Sequence, residues 1–521
     1  MGQVQRSFRP PIYGQRGMVI AGHCLAAYAG IRVLESGGNA VDAMVAASAA
    51  TAVVLGHAAS IGGDCFLLFH QAATGRTLGL NASGTAPTLA DPKSFPNGMH
   101  EHGPLAPVVP GLARAWEAIH SRFGRLKWNT LLESAIDLAK AHPVSQVLAT
   151  RIAMHHEKLM ADPGCASLYM PGGHPIGVGE TLRQPALAAT LAAISNEGAE
   201  AFYKGDIAQH IDSYFAQRNG LLRITDLADY EPLWVEPIST EYRSHRVEVM
   251  PPNSCGVLLL MQLNGLAAVD SDILKSDSVR RLAYQMSAMK AAFSAGGPSI
   301  ADPDALPGAA ERLLGPDMIQ FMRAAVLTVA NTKTGSDSGS TSCLMVSDEE
   351  GNAISLVQSL FNVFGSAFLE PHTGILFNNR MKGFTHEQGK ANSVAPRKRP
   401  AHSLCPVMVL RGGKPRFVMA TPGGLSQTLT NVQVLNYLID DGLDVQAAVE
   451  APRWCNTNTG EFLLGSEFPE RTADALAQFG HKATRRDDGY FYGSAKVIEF
   501  LASGNFAGGA DFRREAFALG V

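Results

Sequence analysis

At 521 residues the chain is long enough for one large layered fold or for several domains, and 46% of it is hydrophobic. Its 43 basic and 47 acidic residues leave a formal charge of −4, with only 17% of residues charged. A balance of that kind favours neither nucleic acid nor an anionic membrane, so the expected partner is a small, roughly neutral molecule.

The N-terminus, MGQVQRSFRPPIYGQRG, carries positive charges without the apolar run of a secretory signal, and no stretch is long and apolar enough to span a bilayer. Cys24, Cys65, Cys165, Cys255, Cys343, Cys405 and Cys455 are scattered singly, with no CxxC pair and an odd total, which fits neither a disulfide framework nor a zinc site. Reduced, packed thiols in a cytoplasmic protein are the expectation.

Residues 25–55 carry Ala, Leu and Val around a break at Gly37 and Gly38, which predicts a helix pair packed through alanine, with Asn39 capping the second helix. CFLLFH (65–70) and RTLGL (76–80) flank QAATG and read as a β-hairpin. Much of 112–330 then reads helical; in LRQPALAATLAAISNEG, Leu187, Leu191 and Ile194 recur at helical spacing, Pro185 suits a first turn and Gly198 an end.

After Thr341 the pattern changes to strands, CLMVS, AISLVQSL, GILFN, SLCPVMVLR and PRFVMAT, followed by helices around Thr428–Ile439 and Val445–Ala451. Helices, then strands, then helices predict an α+β fold, a layered sandwich whose sheets are built largely from the C-terminal third.

The hydroxyl run at Gly339–Ser342, just where a strand begins, has two readings. Small hydroxyl residues favour turns, so it reads as a solvated loop. Local composition favours that loop, but the run also has a reading as a nucleophile: a threonine hydroxyl becomes reactive beside a base, and the nearest one is its own α-amine once the Ser340–Thr341 bond is cut. A free α-amine titrates at roughly pH 7.7–8.0, where it can accept and return a proton.

Spacing elsewhere bears on the choice. GMVIAGHCLAAYAGIRVLESGGNAVDA (17–43), GHAASIGGDCFLLF (56–69), PPNSCGVLLLMQLN (251–264), TGILFNNRM (373–381), KRPAHSLCP (398–406) and TPGGLSQT (421–428) follow in an order that resembles the γ-glutamyltranspeptidase family of N-terminal-nucleophile hydrolases over nearly the whole chain. The resemblance implies a four-layer α/β/β/α sandwich and a precursor cut into chains 1–340 and 341–521 that stay together as one folded unit. It places the nucleophile on Thr341, counted back from Gly351-Asn352-Ala353, with a one-residue slip to Ser340 or Ser342 as the alternative register.

The same comparison implies that Ser359 orients the nucleophile and that the backbone N–H groups of Gly423 and Gly424 hold the oxyanion. Read without it, Ser359 is a strand serine and the glycines a strand-to-helix turn. Neither a metal nor an organic cofactor is implied, and a dimer of two-chain units stays open.

The sequence departs from the family where γ-glutamyl compounds are gripped. An expected arginine is Ser83, an asparagine is Phe361, a glutamine is Arg380, a carboxylate is Gly383, and paired serines are His402 and Ser403. A glutamyl ammonium loses its partner, whereas Arg380 can take a carboxylate bidentately with His402 or Ser403 adding a hydrogen bond. Phe361, Arg380 and His402 together resemble the oxamate amidohydrolase branch, so a small carboxylate-bearing amide is the expected substrate. Arg380 as a structural ion pair and His402 as a core histidine are the plain alternatives, as are a remodelled γ-glutamyl hydrolase or transpeptidase and an unprocessed binding protein. The segment between Phe384 and Pro400 is short beside a family lid, which predicts a less covered site.

Overall fold

The structure is a computed structural model and describes residues 8–327, 340–457 and 460–521; Gly339 and the end of the predicted helical region, 328–330, lie outside them. Two seven-stranded sheets dominate. The first runs 517–520, 17–21, 340–348, 353–361, 64–71, 76–82 and 233–235, every neighbouring pair antiparallel. The second runs 12–14, 506–510, 496–500, 414–420, 407–411, 245–249 and 238–242, again antiparallel throughout.

Three apolar clusters make four layers of these elements. Met18, Phe66, Met345 and Val357 of the first sheet meet Met408, Val418 and Ile498 of the second in the central one. The alternate residues Leu344, Val346, Ile354 and Leu356 face the other way, onto helices Cys24–Glu35 and Ala40–Val54. Val247, Val407, Phe417 and Val497 of the second sheet pack on helices Gly256–Leu266, Ser278–Gly296 and Ser426–Leu435. The α/β/β/α sandwich is thus observed.

Helix Ala40–Val54 is buried at every position, which AVDAMVAASAATAVV permits because small side chains let neighbours approach on all sides. Asn39 caps it: its Oδ1 accepts from Val41 and Asp42 N–H at 3.0 and 3.1 Å, and the Asp42 carboxylate accepts in return from Asn39 N–H at 3.0 Å. Pro185 opens helix Pro185–Glu197 and Gly198 ends it.

Three expectations change. Each sheet draws strands from both sides of residue 340, so the sheets are not built largely from the C-terminal third. The region 112–330 holds strands Leu233–Val235, Ile238–Tyr242 and His245–Val249; the hairpin turn Arg243–Ser244 has φ of 48° and 63° without the glycine or asparagine that marks such turns. GILFN shrinks to the strand Ile375–Leu376, paired with Leu369–Glu370.

Candidate active site

The Ser340–Thr341 bond lies at an irregularity of the first sheet. Strand 340–348 pairs with 353–361 in regular register from Thr341 opposite Ser359 onward, but the register shifts between Ser340 and Thr341, leaving Ser340 opposite Phe361. The extra residue, Leu360, sits on the partner strand opposite the Ser340–Thr341 bond and locally disrupts the ladder there. Ser359 Oγ donates to the Ser340 carbonyl oxygen at 2.8 Å and accepts from Phe361 N–H at 2.7 Å. With its one hydrogen committed, its 3.3 Å contact to Thr341 Oγ1 is a bond that Thr341 donates. Ser340 Oγ in turn donates to the His57 carbonyl at 3.1 Å, and all of these hydroxyls are buried.

Ser359 pairs with Thr341 on one side and with Asp64 on the other. Side chains opposite one another in antiparallel strands share a face, and strands lie about 4.8 Å apart, so Asp64 stands two strands, about 10 Å, from Thr341 along one row.

Asp64 anchors a buried cluster. Arg380 Nη2 lies 3.0 Å from Asp64 Oδ1 and His402 Nε2 lies 2.8 Å from Oδ2, with all three side chains 0% exposed. Arg380 starts the short turn Arg380–Gly383, pinned because its N–H donates to Asn378 Oδ1 at 3.0 Å while Asn378 Nδ2 donates to the carbonyls of Gly62 and Val108. Leu404 N–H donates to His402 Nδ1 at 3.3 Å, so the ring hydrogen sits on Nε2 and points at Asp64.

Burial alone would raise the pKa of Asp64, yet Arg380 and His402 outweigh it and hold it at about 2. Burial, reinforced by Arg380 and only partly opposed by Asp64, pushes His402 down to about 4, so His402 is neutral at pH 7 and the charge balance is Asp64 against Arg380. The Arg380 guanidinium also stacks over the Phe361 ring at 4.5 Å, and Phe361 holds a φ of 80°, a left-handed conformation that a non-glycine residue adopts only where its surroundings enforce it. Among the described residues, Arg380 Nε and Nη1 are buried and meet no acceptor.

The departures at Ser83 and Gly383 have structural counterparts. Ser83 Oγ donates to Asn81 Oδ1 at 2.6 Å and its carbonyl accepts from the Tyr230 hydroxyl at 3.0 Å, so it is part of the wall. A Cβ on Gly383 would come 2.8 Å from the Ala401 carbonyl oxygen and 3.8 Å from Arg380 Cδ: the arginine stem runs past the position where a carboxylate was expected. Nor is this part of the site uncovered, since Asp64, Arg380 and His402 are all buried.

Gly423 and Gly424 have φ of 138° and 57° in the turn between strand 414–420 and helix Ser426–Leu435. That turn is tied to the Thr341 segment by short steps. Ser494 N–H donates to Thr421 Oγ1 at 3.2 Å, and Lys496, opposite Ala420, places its Nζ 3.4 Å from Cys343 Sγ, two residues past Thr341.

Of the residues singled out from sequence, Ser340, Thr341, Ser359 and Phe361 meet directly, and Phe361 leads to Arg380 and through Asp64 to His402. Ser403 stands beside them with its carbonyl accepting from the Cys255 thiol at 3.2 Å. Asp64 was missed. Its one local signal is a carboxylate at the head of the apolar strand DCFLLFHQ, where a charge needs a partner. All seven cysteines are unpaired thiols, six buried as expected and Cys24 exposed.

Two stacked antiparallel sheets between helical layers, with a hydroxyl residue opening a central strand, are the N-terminal-nucleophile hydrolase fold. A crystal structure of cephalosporin acylase from Bacillus halodurans superposes with a TM-score of 0.93 at 31% identity, covering 100% of this chain and 99% of that one. The chain belongs to the γ-glutamyltranspeptidase family: the family profile Gamma-glutamyltranspeptidase matches residues 26–521. It is 33% identical to the Glutathione hydrolase-like YwrD proenzyme of Bacillus subtilis, over 98% of this chain and 99% of that protein. It is 29% identical to the Oxamate amidohydrolase proenzyme of Klebsiella pneumoniae, over 97% and 98%. With the family comes the class: an amidohydrolase of the N-terminal-nucleophile type.

Proposed function

We propose that the chain matures by cutting its own Ser340–Thr341 bond and that Thr341 then hydrolyses a small amide whose acyl part carries a carboxylate, with oxamate the leading candidate. The supporting observation is the row Thr341, Ser359, Asp64, with Arg380 mounted at its far end and two of its donors unpartnered among the described residues. A buried guanidinium in that condition suits an anionic ligand.

Maturation starts with Thr341 Oγ1 attacking the Ser340 carbonyl carbon. The hydroxyl proton passes to Ser359 as Ser359 hands its own hydrogen to the carbonyl oxygen that it already bonds, which gives a neutral tetrahedral intermediate. Collapse re-forms the carbonyl and breaks the C–N bond as the hydrogen of the tetrahedral hydroxyl moves to the departing nitrogen, which leaves residues 1–340 as an ester on Thr341 and frees the α-amine; water then releases the ester as the Ser340 carboxylate. In turnover Thr341 Oγ1 attacks the substrate amide, the α-amine takes its proton and gives it to the leaving amine, and the N–H groups of Gly423 and Gly424 hold the oxyanion. Water then hydrolyses the acyl-enzyme.

A γ-glutamyl head fits less well. Both oxygens of Asp64 are engaged by Arg380 and His402, and Gly383 offers no carboxylate for an ammonium group. Ser403 and Phe361 complete the acyl pocket as a hydrogen-bonding group and an apolar wall. The unpaired thiols support a cytoplasmic setting. Ammonia release from oxamate, compared with cleavage of a γ-glutamyl anilide, tests the substrate; turnover of the anilide alone overturns it.

A further inference from the structure

A cleft of 670 Å³ lies just past the end of strand 353–361 and does not include Arg380. On one side it is lined by Asn362 and Val363, which directly follow Phe361. On the other it is lined by Tyr490 and Phe491, which lead into Gly493. Gly493 packs against the strand end before the glycine turn so closely that a Cβ there would lie 2.6 Å from Thr421 Oγ1 and 2.8 Å from the Pro422 carbonyl oxygen. The cleft therefore opens between the residues that follow Phe361 and the segment that packs, through Gly493, on Thr421 and Pro422 ahead of Gly423.

Its chemistry is cationic. The guanidinium carbons of Arg151 and Arg514 lie 3.5 and 3.8 Å from the centre of the Tyr490 ring, and two groups that close to one centre must occupy opposite faces. Arg514 is fixed further by Nε and Nη2 donating to the Tyr490 carbonyl at 3.3 and 3.0 Å. Among the described residues neither arginine has a carboxylate within ion-pair distance, and Arg151 Nε and Tyr490 Oη are buried without a partner. Lys158 adds a third cation, held by the carbonyls of Val363 and Gly365 at 2.7 and 3.0 Å. The acids at the rim are largely spoken for: Glu101 pairs with Lys382 at 2.7 Å and Asp488 with Arg486 at 3.4 Å, which leaves Glu157. Two arginines held on one tyrosine, with no carboxylate partner among the described residues, offer donors suited to a carboxylate.

We propose that this cleft is the leaving-group subsite and that it takes a carboxylate on the amine half of the substrate, so that the preferred substrates are amides bearing an acid on each side of the scissile bond. The proposal rests on Thr341 as the nucleophile and Arg380 as the acyl anchor; oxamate, whose leaving group is ammonia, is then the smallest member of the class.

The test compares N-phenyloxamate with N-(4-carboxyphenyl)oxamate. The protein should favour the carboxylated compound at least ten-fold in kcat/KM, and Arg151→Gln or Arg514→Lys should shrink that ratio to about two-fold, whereas Arg380→Gln should lower both rates and keep the ratio. A ratio near one in the unmodified protein, or an equal loss on both compounds in Arg151→Gln, overturns the proposal. If neither compound is cleaved, the acyl reading fails and calorimetry with 4-aminobenzoate reads the cleft alone. Binding that weakens ten-fold in Arg151→Gln supports the subsite, and no binding or unchanged binding overturns it.

Discussion

Ser359 donates its hydroxyl hydrogen to the carbonyl oxygen of Ser340 at 2.8 Å, across the bulge that separates Ser340 from Thr341. A strand serine that merely filled its place would bond locally; this one polarises the bond proposed to be cut while touching the hydroxyl proposed to cut it. Thr341→Ala should therefore leave one chain of 55.3 kDa with no amidase activity, read by mass spectrometry of the purified protein. Ser359→Ala should slow maturation by roughly 10²-fold, the scale of losing one donor to a developing oxyanion, and Ser359→Thr should retain it. Normal cleavage in Thr341→Ala would move the nucleophile elsewhere.

Gly423→Ala separates conformation from space. The nearest atom to a Cβ there is 3.8 Å away, so the methyl fits, but a φ of 138° is one that L residues rarely hold. The backbone should rotate and swing its N–H off the oxyanion, lowering kcat by roughly 10²-fold or more. The melting temperature should change by only a few degrees. Unchanged kcat at saturating substrate would remove Gly423 from catalysis.

Arg380→Gln removes the cation from a fully buried pair and leaves Asp64 with His402 alone. Breaking such a pair costs roughly 3–5 kcal/mol, read by denaturant unfolding, and His402 should titrate higher once its repulsive neighbour is gone. The anionic amide should lose affinity far more than the precursor loses cleavage. Equal loss of both would make Arg380 structural.

Acid should destabilise the protein in two stages. His57 and His402 are held neutral, burial being the largest cause in each, at about 3 and about 4 against an unfolded value near 6.5. The unfolded chain therefore takes up their protons first, and stability falls as pH drops from about 6.5 toward 4. Asp64, depressed to about 2, adds its loss only below about pH 4. Unfolding midpoints measured from pH 8 to pH 4 should show the first stage, and His57→Gln should flatten it. A flat profile in the unmodified protein would contradict the neutral, buried state of both rings.

The elements legible in the sequence are those whose local signals agree with their surroundings. Asn39 before an alanine-rich run, Pro185 at a first turn and Gly198 at an end announce helices because each satisfies or stops the backbone locally. Strands 238–242 and 245–249 were illegible because Arg243 and Ser244 hold left-handed angles that tertiary contacts enforce. Thr341, Ser359 and Arg380 could be picked out by motif order, but Asp64, which joins the nucleophile row to Arg380, could not. Its meaning comes from facing Ser359 in register and from two partners more than three hundred positions away in sequence.

The interleaving of strands from both sides of residue 340 has a consequence for the proposed maturation. Strand 340–348 lies between 17–21 and 353–361, and 353–361 lies between 340–348 and 64–71, so a cut at Ser340 severs the chain without creating a free sheet edge. The precursor folds as one molecule, but the cut form, once unfolded, has to find its other half by diffusion. Refolding yield of the cut protein should thus depend on protein concentration while that of Thr341→Ala does not, and such a cut would make the fold a one-way product of its own synthesis.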